Sequence, residues 1–311
     1  MTVREHRAAK PAAMGVGDIQ AKLMLVLLCL IWGFTWPAMK IALNEIPPFS
    51  MRASSAGLGA LTLFLICLVK RRSFRIASAK AWAHVVIASL LNVVCFSLFS
   101  AFAQLAAATS RVAIVTYTMP IWTVVLAWAI LGERPTRIQR AAIALCAIGL
   151  TVLIRPLIAT GIPLGVLLAI ATGLSWAGGT VYLKWARIDA DPMGAASWQL
   201  TIAFLIITAF LLVFEGRLHL DAADAGALVA LAFSGVVGNG IAYGLWFAIL
   251  RRLPAVTASL GILGIPVIGV LSSMLILGER PTTADFIGFA CIFAASACIL
   301  MTPHPPEAVS G

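Results

Sequence analysis

The chain has 311 residues, of which 61% are hydrophobic and only 11% charged, and its mean hydropathy is +1.02. No soluble single domain can show so apolar a composition to water, so the solvent is lipid and spanning elements are helices or a closed barrel. The net charge of +10 points to no nucleic-acid partner, because the 22 Lys and Arg are confined to the tails, the short gaps between apolar runs and the ends of those runs.

In chain order, residues 1–19 are polar and basic (Arg4, Arg7, Lys10). They read as a retained tail, since the apolar run that follows lacks a clear small-x-small cleavage site and is long enough to span. Apolar runs of about twenty residues then predict ten transmembrane helices. They fall near 22–43, 50–69, 82–104, 110–131, 138–154, 163–185, 194–214, 225–250, 255–277 and 284–302. Ala255 to Leu277 carries no charge and no apolar/polar alternation, which argues against a barrel. Residues 303–311 hold three prolines and no apolar face, and read as a second tail. The six cysteines lie in apolar runs without metal-ligand spacing and read as reduced, packed thiols.

With the N-terminus inside, sixteen Lys and Arg fall on the inner side. They are Arg4, Arg7, Lys10, Lys22, Lys70, Arg71, Arg72, Arg75, Lys80, Arg134, Arg137, Arg140, Lys184, Arg187, Arg251 and Arg252. Six fall on the outer side: Lys40, Arg52, Arg111, Arg155, Arg217 and Arg280. Basic segments are retained on the cytoplasmic side, so both termini are predicted cytoplasmic in an inner-membrane, multi-pass protein.

The most specific feature is an internal repeat. Ile130-Leu131-Gly132-Glu133-Arg134-Pro135-Thr136 recurs unchanged as Ile276-Leu277-Gly278-Glu279-Arg280-Pro281-Thr282, and Pro120 recurs as Pro266 at the same offset. Trp32 and Lys40 correspond to Trp176 and Lys184. Five spans per half is an odd number, so the second half must enter the membrane from the opposite side. The predicted class is therefore an all-α integral membrane protein of two inverted five-helix repeats, the first at 20–157 and the second at 158–302.

These halves, the Trp32-Gly33-Phe34-Thr35 segment and the duplicated Leu-Gly-Glu-Arg-Pro-Thr run resemble the EamA-type branch of the drug/metabolite transporter superfamily. The resemblance covers about 20–302. It implies ten helices, cytoplasmic termini and commonly export of amino acids, their derivatives or other small metabolites and drugs. Trp176-Ala177 departs from the Trp-Gly pattern.

Trp32, Trp36 and Lys40 share one helix face, where a solute carboxylate can meet the ammonium and an apolar part the indoles; packing tryptophans and a snorkelling lysine are the other reading. Trp176, Thr180 and Lys184 occupy the matching face, with Lys184 explained by inner anchoring. Asn92, Tyr117, Asn239 and Tyr243 are polar groups deep in the spans, fit for either substrate contact or interhelical bonding, as are Thr116 and Gln199. Asn239 and Tyr243 sit in a glycine-rich stretch where close backbone approach or local unwinding can expose carbonyls. Pro37, Pro120 and Pro266 are candidate hinges or static bends. Arg52, near the start of its helix, reads as an interfacial or structural cation or an anion holder. His84 reads as a boundary residue or a proton relay. The Glu133-Arg134 and Glu279-Arg280 pairs read as helix-end determinants.

No Asp or Glu occupies the middle of a span, and no Walker loop, H-E-x-x-H or G-x-S-x-G is present. No metal, cofactor or enzymatic chemistry is expected. The expected partners are a small-molecule substrate and the bilayer. Export of amino acids or related metabolites leads; import of a vitamin or nucleoside-like solute stays open, and a membrane enzyme or sensor is the reading from another class.

Overall fold

The computed structural model describes residues 16–158, 163–250 and 264–301, and every regular element among them is helical. We number the helices α1 (Val16–Glu45), α2 (Pro48–Val69), α3 (Ala79–Ala106), α4 (Thr109–Leu131) and α5 (Arg137–Ile158). The second set is α6 (Leu164–Ala186), α7 (Pro192–Phe214), α8 (225–250), α9 (Gly264–Leu277) and α10 (Thr283–Met301).

Eight of these, α1 to α8, are long and apolar enough to cross a membrane. The 22 residues of α2 span about 33 Å at 1.5 Å per residue, against a hydrocarbon core of about 30 Å. The apolar stretches described in α9 and α10, Gly264–Leu277 and Thr283–Ala295, are shorter. Part of the predicted 255–277 span, namely 255–263, lies outside the described residues, as do Arg251, Arg252 and most of both predicted tails. Leu65, Leu205, Val213, Val229 and Leu275 lie exposed along the helices, a surface suited to lipid.

Local chemistry sets the helix ends. Pro48 opens α2, and the Asp191 carboxylate accepts from Met193 N and Gly194 N ahead of Pro192 in α7. Gly132 and Gly278, the same position of the repeated motif, close α4 and α9 at φ of +73° and +66°, where a Cβ is unfavourable. The motif threonines then start the next helices by capping boxes. Thr136 N and Oγ1 exchange bonds with Gln139, and Thr282 N and Oγ1 exchange bonds with Asp285. One heptapeptide thus encodes stop, turn and restart in each half.

Packing is reciprocal between the halves. The first helix of each half packs on the fourth and third helices of the other: α1 on α9 and α8, α6 on α4 and α3. The second and third pair crosswise in the same manner, α2 with α8 and α7 with α3, while α2 pairs with α7 and α5 with α10.

Side chains fasten matching ends. Glu215, after α7, accepts from Phe49 N and Ser50 N at the start of α2, each at 2.8 Å. Glu279, after α9, accepts from Thr109 N at 2.6 Å and Ser110 N at 2.7 Å at the start of α4. Glu45, ending α1, accepts from Asp224 N ahead of α8. At other helix ends, Arg72 pairs with Asp191 at 3.2 Å and Lys184 with Glu133 at 2.7 Å. The motif glutamates are helix-end determinants, and the two copies take different partners.

Candidate functional site

Both third helices depart from regular α geometry midway: α3 is π-helical over Leu90–Cys95 and α8 over Phe233–Ile241. The glycine-rich stretch of α8 is therefore widened and still helical; of the two sequence expectations, close approach is seen, at Gly235 and Gly240 against α2, and local unwinding is not. A π-helical turn leaves carbonyls without their regular donors, and in lipid these need partners from neighbouring helices. Trp32 of α1 supplies one, its Nε1 donating to Gly238 O at 3.1 Å. Its ring also meets Tyr243 edge-on at 6.2 Å and Trp246 at 6.1 Å.

Asn239, next in the same segment, turns toward α2, and its Nδ2 donates to Ser55 O at 3.2 Å. That approach requires Gly59, since a Cβ there would lie within van der Waals contact of Asn239 Cβ.

The other half offers a counterpart. Asn92, in the π segment of α3, lies against Gly179 of α6, and its Oδ1 has no partner among the described residues. Trp176 of α6 packs on Phe96, one residue beyond that segment, at 5.2 Å. Thr180 lies exposed and donates to Trp176 O at 2.9 Å, so it joins this cluster only through its own helix. The structure thus brings Trp32 and Tyr243 together between α1 and α8, turns Asn239 of α8 toward α2, and sets Trp176 and Asn92 at separate contacts between α6 and α3.

Trp36 and Lys40 take other directions from Trp32, so the shared face of α1 divides among three neighbours. Trp36 is buried against Gly269 of α9, and it belongs to the same apolar core as Tyr117 of α4. Lys40 is partly buried and donates from Nζ to Gln104 O of α3 at 2.8 Å. Gln104 in turn is wholly buried and donates from Nε2 to Trp36 O at 3.3 Å. Arg52 is 7% exposed, donating from Nη2 to Ser100 Oγ at 2.7 Å and contacting Met39 Sδ. Arg52, four residues after the first residue of α2, thus lies in the packed interior, in keeping with a structural cation or an anion holder.

Sequence reasoning singled out neither Ser100 nor Gln104. Their i, i+4 spacing on one helix face was the available signal. His84 has a partner at 2.6 Å in the Tyr182 hydroxyl of α6, and Trp185 stands beside it. Of the cysteines, Cys298 lies exposed, at variance with a packed thiol.

The prolines differ in effect. Pro37 lies within an unbroken α1 and deprives Gly33 O of its i+4 donor; Ser272 of α9 shares its proton between that oxygen, at 3.3 Å, and Gly269 O, at 3.1 Å. Pro120 follows a break in α4 at Tyr117 and Thr118. Pro266 is the third residue of α9, Gly264–Leu277. An open groove of about 480 Å³ between α1 and α8 is walled by apolar side chains such as Leu30, Phe34, Val229 and Phe233, apart from the polar clusters. No cluster of His, Cys, Asp or Glu fit to hold a metal occurs among the described residues.

Comparison with known proteins matches the EamA-like transporter family model to residues 20–155 and 163–301. The chain is 25% identical over 275 residues to "Uncharacterized transporter YoaV" of Bacillus subtilis, covering 87% of this chain and 93% of that protein. It is 27% identical over 287 residues to a "Probable amino-acid metabolite efflux pump" of Salmonella typhimurium, covering 87% and 91%. "Uncharacterized protein PA1977" of Pseudomonas aeruginosa is 30% identical, with 84% and 88% covered. A solved crystal structure shares the fold with a TM-score of 0.63 at 21% identity, over 91% of this chain and 98% of that one.

Proposed function

This chain belongs to the EamA-like transporter family and is a multi-pass membrane transporter; from that premise we propose that it exports amino acids or related small metabolites across the inner membrane by alternating access. The observation that carries the reading is the reciprocal packing, in which each helix of one half finds its main neighbours in the other half. Two halves built this way can rock against each other about a site on their boundary.

In this reading the chain spans the membrane ten times, the halves are inverted and both termini are cytoplasmic. The side-chain fastenings support it. They group the ends of α1, α7 and α9 with the starts of α2, α4, α8 and α10, and the ends of α2, α4 and α6 with the start of α7. The first helices of the two halves thereby end in opposite groups. Two relatives that carry the name "Probable amino-acid metabolite efflux pump" support the substrate class and the outward direction.

Trp32, Trp36, Lys40, Asn92, Tyr117, Trp176, Thr180, Asn239 and Tyr243 are the proposed substrate-binding residues, and Pro37, Pro120 and Pro266 the proposed hinges. The chain acts as a carrier and performs no catalysis. Reconstitution into liposomes with a panel of labelled amino acids and metabolites tests this: flux that falls in Trp32→Ala supports the reading. Absence of any flux, together with unchanged cellular export in that variant, overturns it. Accumulation in both vesicle orientations separates export from import.

A further inference from the structure

The end of the bundle where α1, α2 and α3 meet holds two cations without a counter-charge. Arg52 is nine-tenths buried; its Nη2 is held by Ser100 and Met39, and its Nε has no partner among the described residues. The residue after Met39 is Lys40, whose ammonium is bonded to an uncharged acceptor, Gln104 O. Gln104 lies one turn from Ser100 on α3, fully buried, and its Oε1 also has no partner among the described residues.

Carboxylates are available at this end and are committed elsewhere. Glu215 is bonded to the amides of Phe49 and Ser50 and to the Ser50 hydroxyl, and Glu45 to the amide of Asp224. Among the described residues no ion pair reaches Arg52 or Lys40. A guanidinium withdrawn from water without an opposite charge is destabilising, and intramembrane cations so placed mark ligand paths.

We propose that Arg52, supported by Lys40, receives a carboxylate of the transported solute, so that the substrate class is small organic molecules bearing a free carboxylate. The inference rests on the transporter reading above. The planar guanidinium fork matches a carboxylate in two parallel hydrogen bonds, and Nε with Nη2 forms such an edge. In the conformation described, Ser100 occupies half of that edge and the site is closed. Loading therefore exchanges the Ser100 hydroxyl for a carboxylate oxygen and separates α3 from α1 and α2. The unpaired Oε1 of Gln104 then stands ready for an N–H or O–H of the solute.

The test uses the purified full-length chain in lipid nanodiscs and follows ligand-induced thermal stabilisation. The probes are L-phenylalanine and phenylacetate, each against its amide, with chloride and phosphate as inorganic anions and nanodiscs with or without anionic phospholipid. The carboxylates are expected to stabilise the wild type and the amides are not. Arg52→Gln is expected to weaken the carboxylate response about tenfold or more. Should that variant fail to fold, Ser100→Ala serves, since it vacates the guanidinium edge and is expected to tighten carboxylate binding. Equal responses to carboxylate and amide, an undiminished response in Arg52→Gln, or weaker binding in Ser100→Ala each overturn the proposal. So does saturation of the response by inorganic anion or anionic lipid alone. Solute flux by the wild type without carboxylate dependence defeats this inference and leaves the transporter reading standing. Carboxylate stabilisation without flux of any solute does the reverse.

Discussion

The indole of Trp32 donates to the carbonyl of Gly238, so the first helix of one half fills the hydrogen-bonding gap opened by the π-helical segment of the other half. Trp32→Phe keeps the contacts with Tyr243 and Trp246 but leaves that carbonyl without its donor. The expected loss is about 1 kcal/mol, since hydrogen bonds inside membrane bundles are individually modest. Thermal or chemical unfolding in nanodiscs measures it, and an unchanged stability removes the carbonyl-filling role.

Arg111 grips Asp285 through two bonds, at 2.7 and 2.9 Å, while Asp285 also closes the capping box of α10. Asp285 is 4% exposed. Arg111→Met strands a buried carboxylate and is expected to cost about 3 kcal/mol. Adding Asp285→Asn should recover much of that loss, because the amide still accepts from Thr282 and no longer carries charge. A double-mutant cycle reads the coupling, and simple additivity of the two changes would contradict the pairing argument.

Gly179 sits under the side chain of Asn92. Gly179→Ala is expected to destabilise by about 1 to 3 kcal/mol through overpacking, and Asn92→Ala to relieve it in the double variant. Gly178, beside it, has open space, so Gly178→Ala is the control and should be neutral or slightly stabilising.

At Pro120, Pro120→Ala returns an N–H that can bond Thr116 O and make α4 continuous across Tyr117 and Thr118. Stability should hold or rise while flux falls several-fold, if the break serves as a hinge. Amide hydrogen exchange at residues 116–120 supplies the independent reading; greater protection with unaltered flux would make the proline a static bend.

Single cysteines report the arrangement of the halves. Replacing Asp221 is expected to give labelling by a membrane-impermeant maleimide in intact cells, and replacing Arg75 labelling only after permeabilisation. The reverse pattern would invert the whole orientation, and labelling of both in intact cells would break the proposed alternation.

Much of the fold could be read from the residues because lipid imposes a length rule. The starts of α2, α4 and α6 lie within two residues of the predicted 50, 110 and 163. The repeated motif was legible as an end signal, since its glycine, proline and threonine act locally. What local sequence does not carry is partnership. Lys40 meets a carbonyl on α3, and Arg52 a serine 48 positions away. Trp36 turns from Trp32 because α9 and α8 stand on different sides of α1. The π segments escaped because one extra residue in a helical turn changes neither composition nor apolar run length.

The duplicated glutamate has a consequence for how the two ends respond to their surroundings. Glu279 holds the opening amides of α4, with Thr109 and Ser110 both buried; Glu133 holds Lys184 across a contact about half exposed on either side. Mobile ions weaken the second kind of clasp and scarcely reach the first. In the proposed inverted arrangement, salt on the Glu133 side of the membrane should therefore speed opening there and leave the Glu279 side unmoved, giving a transporter made of two near-copies an ionic sense of direction. Crosslinking rates of cysteine pairs set at the two clasps, in liposomes with salt raised on one face at a time, read that difference.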